Sequence, residues 1–385
     1  MTARVVICRS NPIDPDPRVE KTAHTLNDAG YQVSVLGWDR TGELPVRETL
    51  DRPDNSIQVY RLPIKAEFGH GIANLPNLLH WQWGLMKWLS QNRTGYDIIH
   101  ACDFDTILPA LICRLLWGKP VIYDIFDFYA DHLRATPVIF KRMIRWLDLR
   151  SIGWADALIL ADESRYAQIE GAKPKRSVVI YNSPRRRSVP PFPDRSPHPN
   201  TSLNIAYIGL LQVERGLIEM LQVMECHPDW SLDLAGFGGD EAAIVPAAER
   251  MPNVTWHGRI SYDRAMGISQ AADVLFATYD PGIPNHRYSS PNKVFEAMML
   301  EKPIIVARNT NMDRIVEQAE CGIVVPYGDV STLDGALESL QTDPELRRKL
   351  GENGQRAYES TYGWERMRDR LLTLYSEVIT NPVST

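Results

Sequence analysis

Short runs of aliphatic and β-branched residues alternate along this chain with stretches whose apolar positions recur every three to four residues. Arg4–Arg9 reads as a first buried strand. Arg18–Ala29 reads as a helix with Val19, Ala23 and Leu26 inward, stopped at Gly30. Tyr31–Leu36 is a second strand, completing a β-α-β unit of the kind that builds parallel sheets with right-handed crossovers. Further strands are expected at 57–64, at Asp97–His100, at Lys119–Asp124, at Asp156–Ala161 and at Val178–Tyr181. Helical periodicity runs over Asn74–Leu89, which is rich in Leu and Trp, and over Arg134–Gly153, which mixes Lys141, Arg142, Arg145 and Arg150 with apolar residues. The tryptophans of the first of these read as core packing or as a membrane-docking stripe.

A proline-rich stretch with three consecutive arginines, 182–200, interrupts the pattern and reads as an extended, semi-rigid linker. The alternation then restarts with strands at Leu203–Ile208, Trp230–Ala235, Val254–His257, Asp273–Ala277, Ile304–Ala307 and Gly322–Val325. Helices are expected at 345–358 and 364–380, the last with Trp364, Met367, Leu371, Leu374 and Tyr375 on one face. The division is therefore 1–182 for one α/β, doubly wound domain, 183–200 for the linker, 201–363 for a second Rossmann-like domain, and 364–385 for a terminal helix. A chain of 385 residues is long for one core, which agrees with two domains.

Charge sharpens this picture. Residues 1–190 carry 25 Lys+Arg against 21 Asp+Glu, whereas the remainder carries 17 against 27. A basic front half in a protein of net charge −6 marks a membrane surface or lipid phosphates as candidate partners of that half, beside the plainer reading of uneven, solvated charge. No nucleic acid partner is expected. The five cysteines are scattered without a C-x-x-C pair, which fits a reducing cytoplasm and speaks against a zinc site or disulfide staples. No window of about 18 uninterrupted apolar residues suggests a membrane span. The apolar run at the N-terminus is too short for a signal peptide.

The most chemically suggestive stretch is Tyr288–Asn309, read as loop, helix and strand. A helix starting at Asn292 aims free backbone N–H groups at the loop holding Ser290, which makes an anion site, and Lys293 adds a charge there. Glu296, one turn along, is placed to accept hydrogen bonds from two ribose hydroxyls. The same stretch also reads as a surface helix with a capping Ser and a dipole-complementing Glu. In the front half, Asp103, Asp105, Asp127 and Asp131 fall just past strands, at the carboxyl edge where open α/β sheets place ligands. Helix capping is the simpler role for Asp103 and Asp105. No G-x-G-x-x-G follows the first strand, so a dinucleotide fingerprint is missing.

In order and spacing, D-P-R-V-E-K (16–21), H-A-C-D-F-D-T-I-L-P-A (100–110), Y-D-I-F-D-F-Y (123–129), E-R-G (214–216), H-G-R-I (257–260) and S-P-N-K-V-F-E-A-M (290–298) resemble the retaining family 4 (group 1) glycosyltransferases, of the exopolysaccharide or capsule type. The resemblance implies the GT-B fold: two Rossmann-like domains facing across a cleft, with the terminal helix crossing back to the first. It implies transfer of a hexose from a nucleotide diphosphate sugar to a hydroxyl of a glycan or lipid-linked acceptor. No cofactor and no metal are implied, and D-F-D at 103–105 lies in the wrong domain for a metal motif. The expected location is cytoplasmic, at the inner membrane face.

By position, the resemblance makes Glu296 the ribose ligand and sets Arg215, Gly209, Ser290, Asn292 and Lys293 at the donor diphosphate. It puts Arg259 and Ile260 at the nucleobase, and Asp103, Asp105, Phe126 and Asp127 at the acceptor. Asp127, Arg215 and Lys293 are the catalytic candidates. Three positions depart from the family pattern: Leu210 where an Arg is common, Tyr288 where a Glu begins E-x7-E, and Phe126 where a His is found. A Phe neither hydrogen-bonds a sugar hydroxyl nor carries a proton. A catalytically silent nucleotide-sugar-binding scaffold and a UDP-sugar epimerase are the competing readings.

Overall fold

The computed structural model describes residues 3–50, 56–66, 75–132, 136–187 and 202–380. It divides into two compact units, Met1–Tyr181 with Met367–Thr385, and Asn182–Arg366. In the first unit the elements run β1 (Arg4–Arg9), α1 (Pro17–Asp28), β2 (Gln32–Asp39), β3 (Arg47–Leu50), β4 (Ile57–Pro63), α2 (Leu75–Gln91), β5 (Ile98–Cys102), α3 (Phe104–Trp117) and β6 (Val121–Ile125). They continue with α4 (Tyr129–His132), α5 (Val138–Trp154), β7 (Ala157–Leu160), α6 (Arg165–Gln168) and β8 (Ser177–Val179).

The sheet order is β3-β4-β2-β1-β5-β6-β7-β8. All pairs are parallel except β3 with β4, where R-E-T-L forms an exposed antiparallel edge that carries no apolar run to announce it. The central strands β5, β6 and β7 are buried throughout, as strands covered on both faces must be. The connections that hold α2, α3 and α5 all cross the sheet in the same direction. Right-handed crossovers therefore place these three helices on one face, and α3 packs against both of the others.

The second unit contains β9 (Leu203–Ile208), α7 (Leu217–Cys226), β10 (Trp230–Ala235), α8 (Glu241–Glu249), β11 (Val254–Trp256), α9 (Tyr262–Ala271) and β12 (Val274–Ala277). It goes on through α10 (Asn292–Met299), β13 (Ile304–Ala307), α11 (Met312–Ala319), β14 (Gly322–Val325), α12 (Val330–Thr342), α13 (Pro344–Ala357) and the first turn of α14 (Trp364–Thr380). Its six strands are all parallel, in the order β11-β10-β9-β12-β13-β14. Both sheets are of the doubly wound type.

Two boundaries differ from those read in the sequence. Residues 182–187, at the start of the expected semi-rigid linker, group with the second unit: Tyr358 Oη donates to the carbonyl of Pro184 (2.9 Å) and Arg186 pairs with Glu359 (2.5 Å). Residues 188–200 of the expected linker lie outside the described residues. From Met367 onward α14 belongs to the first unit, while Trp364–Arg366 stay with the second. Met367, Leu371, Leu374, Tyr375 and Val378 are buried.

Tyr375 ends this face in a polar chain. Burial alone would raise the Asp124 carboxyl, but Arg18 (2.8 Å) and His100 hold it below the ordinary range. His100 links the two, its Nε2 3.3 Å from the Asp124 carboxylate and its Nδ1 2.7 Å from Tyr375 Oη.

Asp148, on the inward side of α5, is fully buried and accepts from Tyr123 Oη (2.6 Å). Burial pushes its carboxyl up to about 7, the neighbouring Tyr123 opposing. The folded chain thus keeps a proton that the unfolded chain releases at lower pH. Stability from this group is greatest below the ordinary carboxylate range, falls as pH rises, and levels off above about 7. Asp148→Asn retains the acceptor for Tyr123 and should remove roughly 2 kcal/mol of the stability difference between pH 5 and pH 8. Thermal midpoints of both chains at the two pH values measure it; equal pH dependence would refute the assignment.

Candidate functional site

In the second unit the expected anion-binding residues come together at the carboxyl edge of the sheet. Helix α10 starts at Asn292, behind Pro291, which offers no side-chain cap. The N–H of Val294 donates to the carbonyl of Pro291 (3.3 Å), while those of Asn292 and Lys293 have no partner among the described residues. Ser290, the expected cap, instead buries its Oγ without a hydrogen-bond partner among the described residues. The Lys293 ammonium lies 3.3 Å from Tyr279 Oη and 4.5 Å from the Tyr207 ring centre. Arg215, held at Nε by Gln212 (3.2 Å), sets its guanidinium carbon 3.9 Å from the Tyr279 ring centre.

Two cations thus meet around one tyrosine, and among the described residues no carboxylate pairs with either. Burial disfavours the Lys293 ammonium, but the hydroxyls of Tyr207 and Tyr279 offset it and the pKa is raised. Burial likewise disfavours a Tyr279 phenolate, yet Lys293 and Arg215 pull that hydroxyl below its ordinary value. Uncompensated, partly desolvated positive charge is costly unless an anion arrives. Gly209 follows β9 with φ +154°, and a Cβ there would lie 2.4 Å from Lys293 Nζ. Only a glycine lets the lysine reach this position.

The neighbouring strand ends continue the edge. Gly209 N–H donates to the carbonyl of Ala235, and Gly236 N–H to that of Gly258 (both 2.9 Å). Arg259 follows directly, its guanidinium 4.6 Å from the centre of the exposed Phe237 ring, and Ile260 is half-buried beside it. Glu296 is buried, and its carboxylate accepts from Tyr262 Oη (2.9 Å). Leu210 is 42% exposed at this edge and supplies no charge. Tyr207, Phe237, Tyr262 and Tyr279 were not singled out in the sequence. For Tyr207 and Tyr279 the one available signal was an aromatic residue at or just past a strand's carboxyl end.

In the first unit the four expected acceptor-side residues cluster past β5 and β6. The capping role read for Asp103 does not hold. It stands just before α3 with φ +63° and makes no cap hydrogen bond, because its Oδ1 accepts from the N–H of Phe126 (2.8 Å) and its Oδ2 pairs with Arg9. Asp105 lies inside the first turn of α3, with one buried oxygen unpartnered among the described residues, so it too is no cap. Burial pushes Asp103 up to about 6, with Arg9 opposing and Asp105 reinforcing. Asp127 accepts from Arg165 (2.7 Å), and Asp131 from Gln168 (2.6 Å).

Phe126 packs against two guanidiniums, those of Arg9 at 4.1 Å and Arg18 at 4.7 Å from its ring centre. The ring face attracts both cations without adding charge. A histidine here would have to stay neutral beside them. Two trios also bring metal-ligating atoms within 4.8 Å of one another: His100, Cys102 and Asp124, and His227, Asp334 and Glu338. In the first, His100 and Asp124 are already engaged by Tyr375 and Arg18.

Two family models match. "Glycosyl transferase 4-like domain" covers residues 15–183, and "Glycosyl transferases group 1" covers residues 190–357. The chain is a group 1 glycosyltransferase of the GT-B fold. Among curated relatives, phosphatidyl-myo-inositol mannosyltransferase of Mycobacterium leprae is 24% identical over 94% of this chain and 92% of its own. Among solved structures, sucrose-phosphate synthase from Thermosynechococcus elongatus superposes with a TM-score of 0.77 at 16% identity, covering 98% of this chain and 99% of that one. Anabaena Alr3699/HepE, solved in complex with UDP-glucose, gives 0.67 at 13% identity over 97% and 100%.

Phe126→Leu keeps an apolar side chain but removes the ring face. It should lower the stability of the first unit by about 1–2 kcal/mol through the two lost cation–π contacts, while Phe126→Trp should retain it. Denaturant midpoints of the three chains test this; a Leu variant as stable as the parent would refute the role of the ring.

Proposed function

We propose that this glycosyltransferase moves a hexose from a nucleotide diphosphate sugar to a hydroxyl of a glycan or lipid-linked acceptor, with retention at the anomeric carbon, in surface polysaccharide synthesis. The observation that carries this reading is the meeting of Arg215 with Lys293, from the first turn of the uncapped α10, at Tyr279. A departing nucleoside diphosphate develops negative charge, and preorganised cations and amides stabilise it without needing a metal ion. Arg is suited to this because its fork matches phosphate oxygens. The nucleotide-sugar choice is further supported by the UDP-glucose bound to the Anabaena neighbour. A lipid-linked acceptor is supported by the name of the Mycobacterium leprae relative.

The remaining residues follow from these positions. Asn292 and Ser290 meet the diphosphate by backbone N–H and hydroxyl. Gly209 leaves room for it. Glu296 takes the ribose hydroxyls, Tyr262 holding its carboxylate in place. Arg259 and Ile260 flank the nucleobase, for which the exposed ring of Phe237 is a stacking surface. In the transfer, the acceptor oxygen bonds to the anomeric carbon as the bond from that carbon to the diphosphate oxygen breaks. The acceptor proton passes to the departing phosphate on the same face. Asp127, Asp103 and Asp105 are the polar groups for the acceptor, with Phe126 as an apolar wall against a sugar face.

A thermal-shift panel of UDP-, GDP- and ADP-sugars should show at least one ligand raising the midpoint. Lys293→Ala and Arg215→Ala should each weaken that ligand by roughly 10- to 100-fold, as expected for a lost charge-assisted hydrogen bond. Glu296→Ala should weaken nucleotide sugars while leaving inorganic pyrophosphate unaffected. A panel without any shift, or variants with parental affinity, would overturn the donor site.

A further inference from the structure

Helices α2 and α3 each carry two apolar stripes, where a surface helix needs one, and α5 turns its apolar stripe outward. The inward stripe of α2 is Trp81, Leu85 and Leu89, all buried. Its second stripe is Leu75, Leu79 and Trp83, four residues apart along the helix, and Trp83 is 68% exposed. In α3 the outward set is Ile112, Leu115 and Leu116, with Leu115 80% exposed. In α5 the arrangement is inverted. Its buried residues are Asp148, Ser151 and Ile152, whereas Ile139, Met143 and Trp146, at the i, i+4, i+7 spacing of one stripe, face outward. Ile139 is 74% exposed. The three helices are neighbours on one face of the sheet, so the exposed residues belong to one side of the first unit. Monomeric soluble proteins rarely expose large contiguous apolar surface to water, and exposed apolar residues gathered on one side mark a contact surface.

The charge on these helices selects the occupant. They contain two carboxylates, Asp105 and Asp148, and both are buried. Their basic residues are Lys87, Arg114, Lys141, Arg142, Arg145 and Arg150. Lys87 continues the outward stripe of α2 at i+4 from Trp83, and Arg150 that of α5 at i+4 from Trp146; Arg142 is also exposed. Tryptophans and aliphatic side chains among cations, with no exposed carboxylate on the three helices, match an anionic lipid–water interface. Two copies of this face would bring like charges together, which disfavours self-association through it.

We infer that the outer surface of α2, α3 and α5 docks the first unit onto a bilayer that contains anionic lipids. No described helix is long and apolar enough to cross a membrane, so the attachment is interfacial, with the apolar stripes at the acyl boundary and the cations at the headgroups. The inference deepens the proposed transfer, on which it rests for the acceptor alone: the hydroxyl to be glycosylated is presented from a lipid surface. Helix α5 reaches the segment that follows the acceptor-side residues, since Arg145 on α5 lies 4.9 Å from the ring centre of Phe128 and donates to the carbonyl of Gln168 (2.8 Å).

Co-sedimentation of the full chain with phosphatidylcholine vesicles, with and without phosphatidylglycerol, tests the inference. No donor or acceptor is present, so the outcome is independent of the transfer reaction. Binding should require phosphatidylglycerol and weaken with salt. Two variants, Ile139→Ser with Met143→Ser and Trp146→Ser, and Arg142→Glu with Arg150→Glu, should each reduce binding by about tenfold or more. Because these residues are exposed, the thermal midpoint should stay within a degree or so of the parent. Absence of vesicle binding, binding unaffected by both variants, or a concentration-dependent dimer that the apolar variant dissolves while vesicles stay unbound would each overturn it. A nucleotide sugar that still raises the midpoint in those cases would leave the donor site standing.

Discussion

Two positive charges that meet no carboxylate among the described residues set the terms for the second unit. Lys293 and Arg215 reach the same tyrosine from different elements, one from the start of a helix and one from the turn before α7. Holding them there costs free energy, because like charges approach each other in a partly dry setting. The fold meets that cost with the ring faces of Tyr207 and Tyr279 and with a glycine where any side chain would displace the amine. Lys293 itself stands in the first turn of α10, whose N-terminus has no side-chain cap. A parallel sheet brings such groups to one edge because every strand ends there.

The corresponding edge of the first unit follows the opposite rule. There Arg9, Arg18 and Arg165 are each tied to carboxylates, and Asp103 spends one oxygen on backbone N–H groups. Such a network fixes side chains in place and leaves little unbalanced charge. Phe126 belongs to the same logic, as a neutral surface between guanidiniums where an ionisable ring would add repulsion. The two edges thus differ in kind: among the described residues, one is short of anions and the other is internally neutralised.

Much of the fold was legible in the sequence because parallel strands, buried on both faces, must be written as short unbroken apolar runs. Strands β1, β9, β10, β13 and β14 match their apolar runs residue for residue. Strand β3 was not legible, since an exposed edge strand has no such requirement. The start of α10 at Asn292 could be read from Ser-Pro-Asn, although the capping role of serine could not. Asp103 was misread because its backbone turns the carboxylate away from the helix it precedes, and nothing local in the sequence records that turn. Tyr279 and Phe237 escaped notice because an aromatic residue at a strand end looks the same whether it fills a core or lines an edge.

The terminal helix has a consequence for how the molecule is made. The first unit is written in two instalments, with the whole of the second unit between them. On the ribosome, the segment ending at Tyr181 emerges long before Met367–Thr380 is synthesised. Until then His100 lacks the hydroxyl of Tyr375, and the burial of Leu371 and Leu374 has still to be made. The second unit, contiguous in sequence, is under no such delay, so the later-born domain is the one able to complete its folding first.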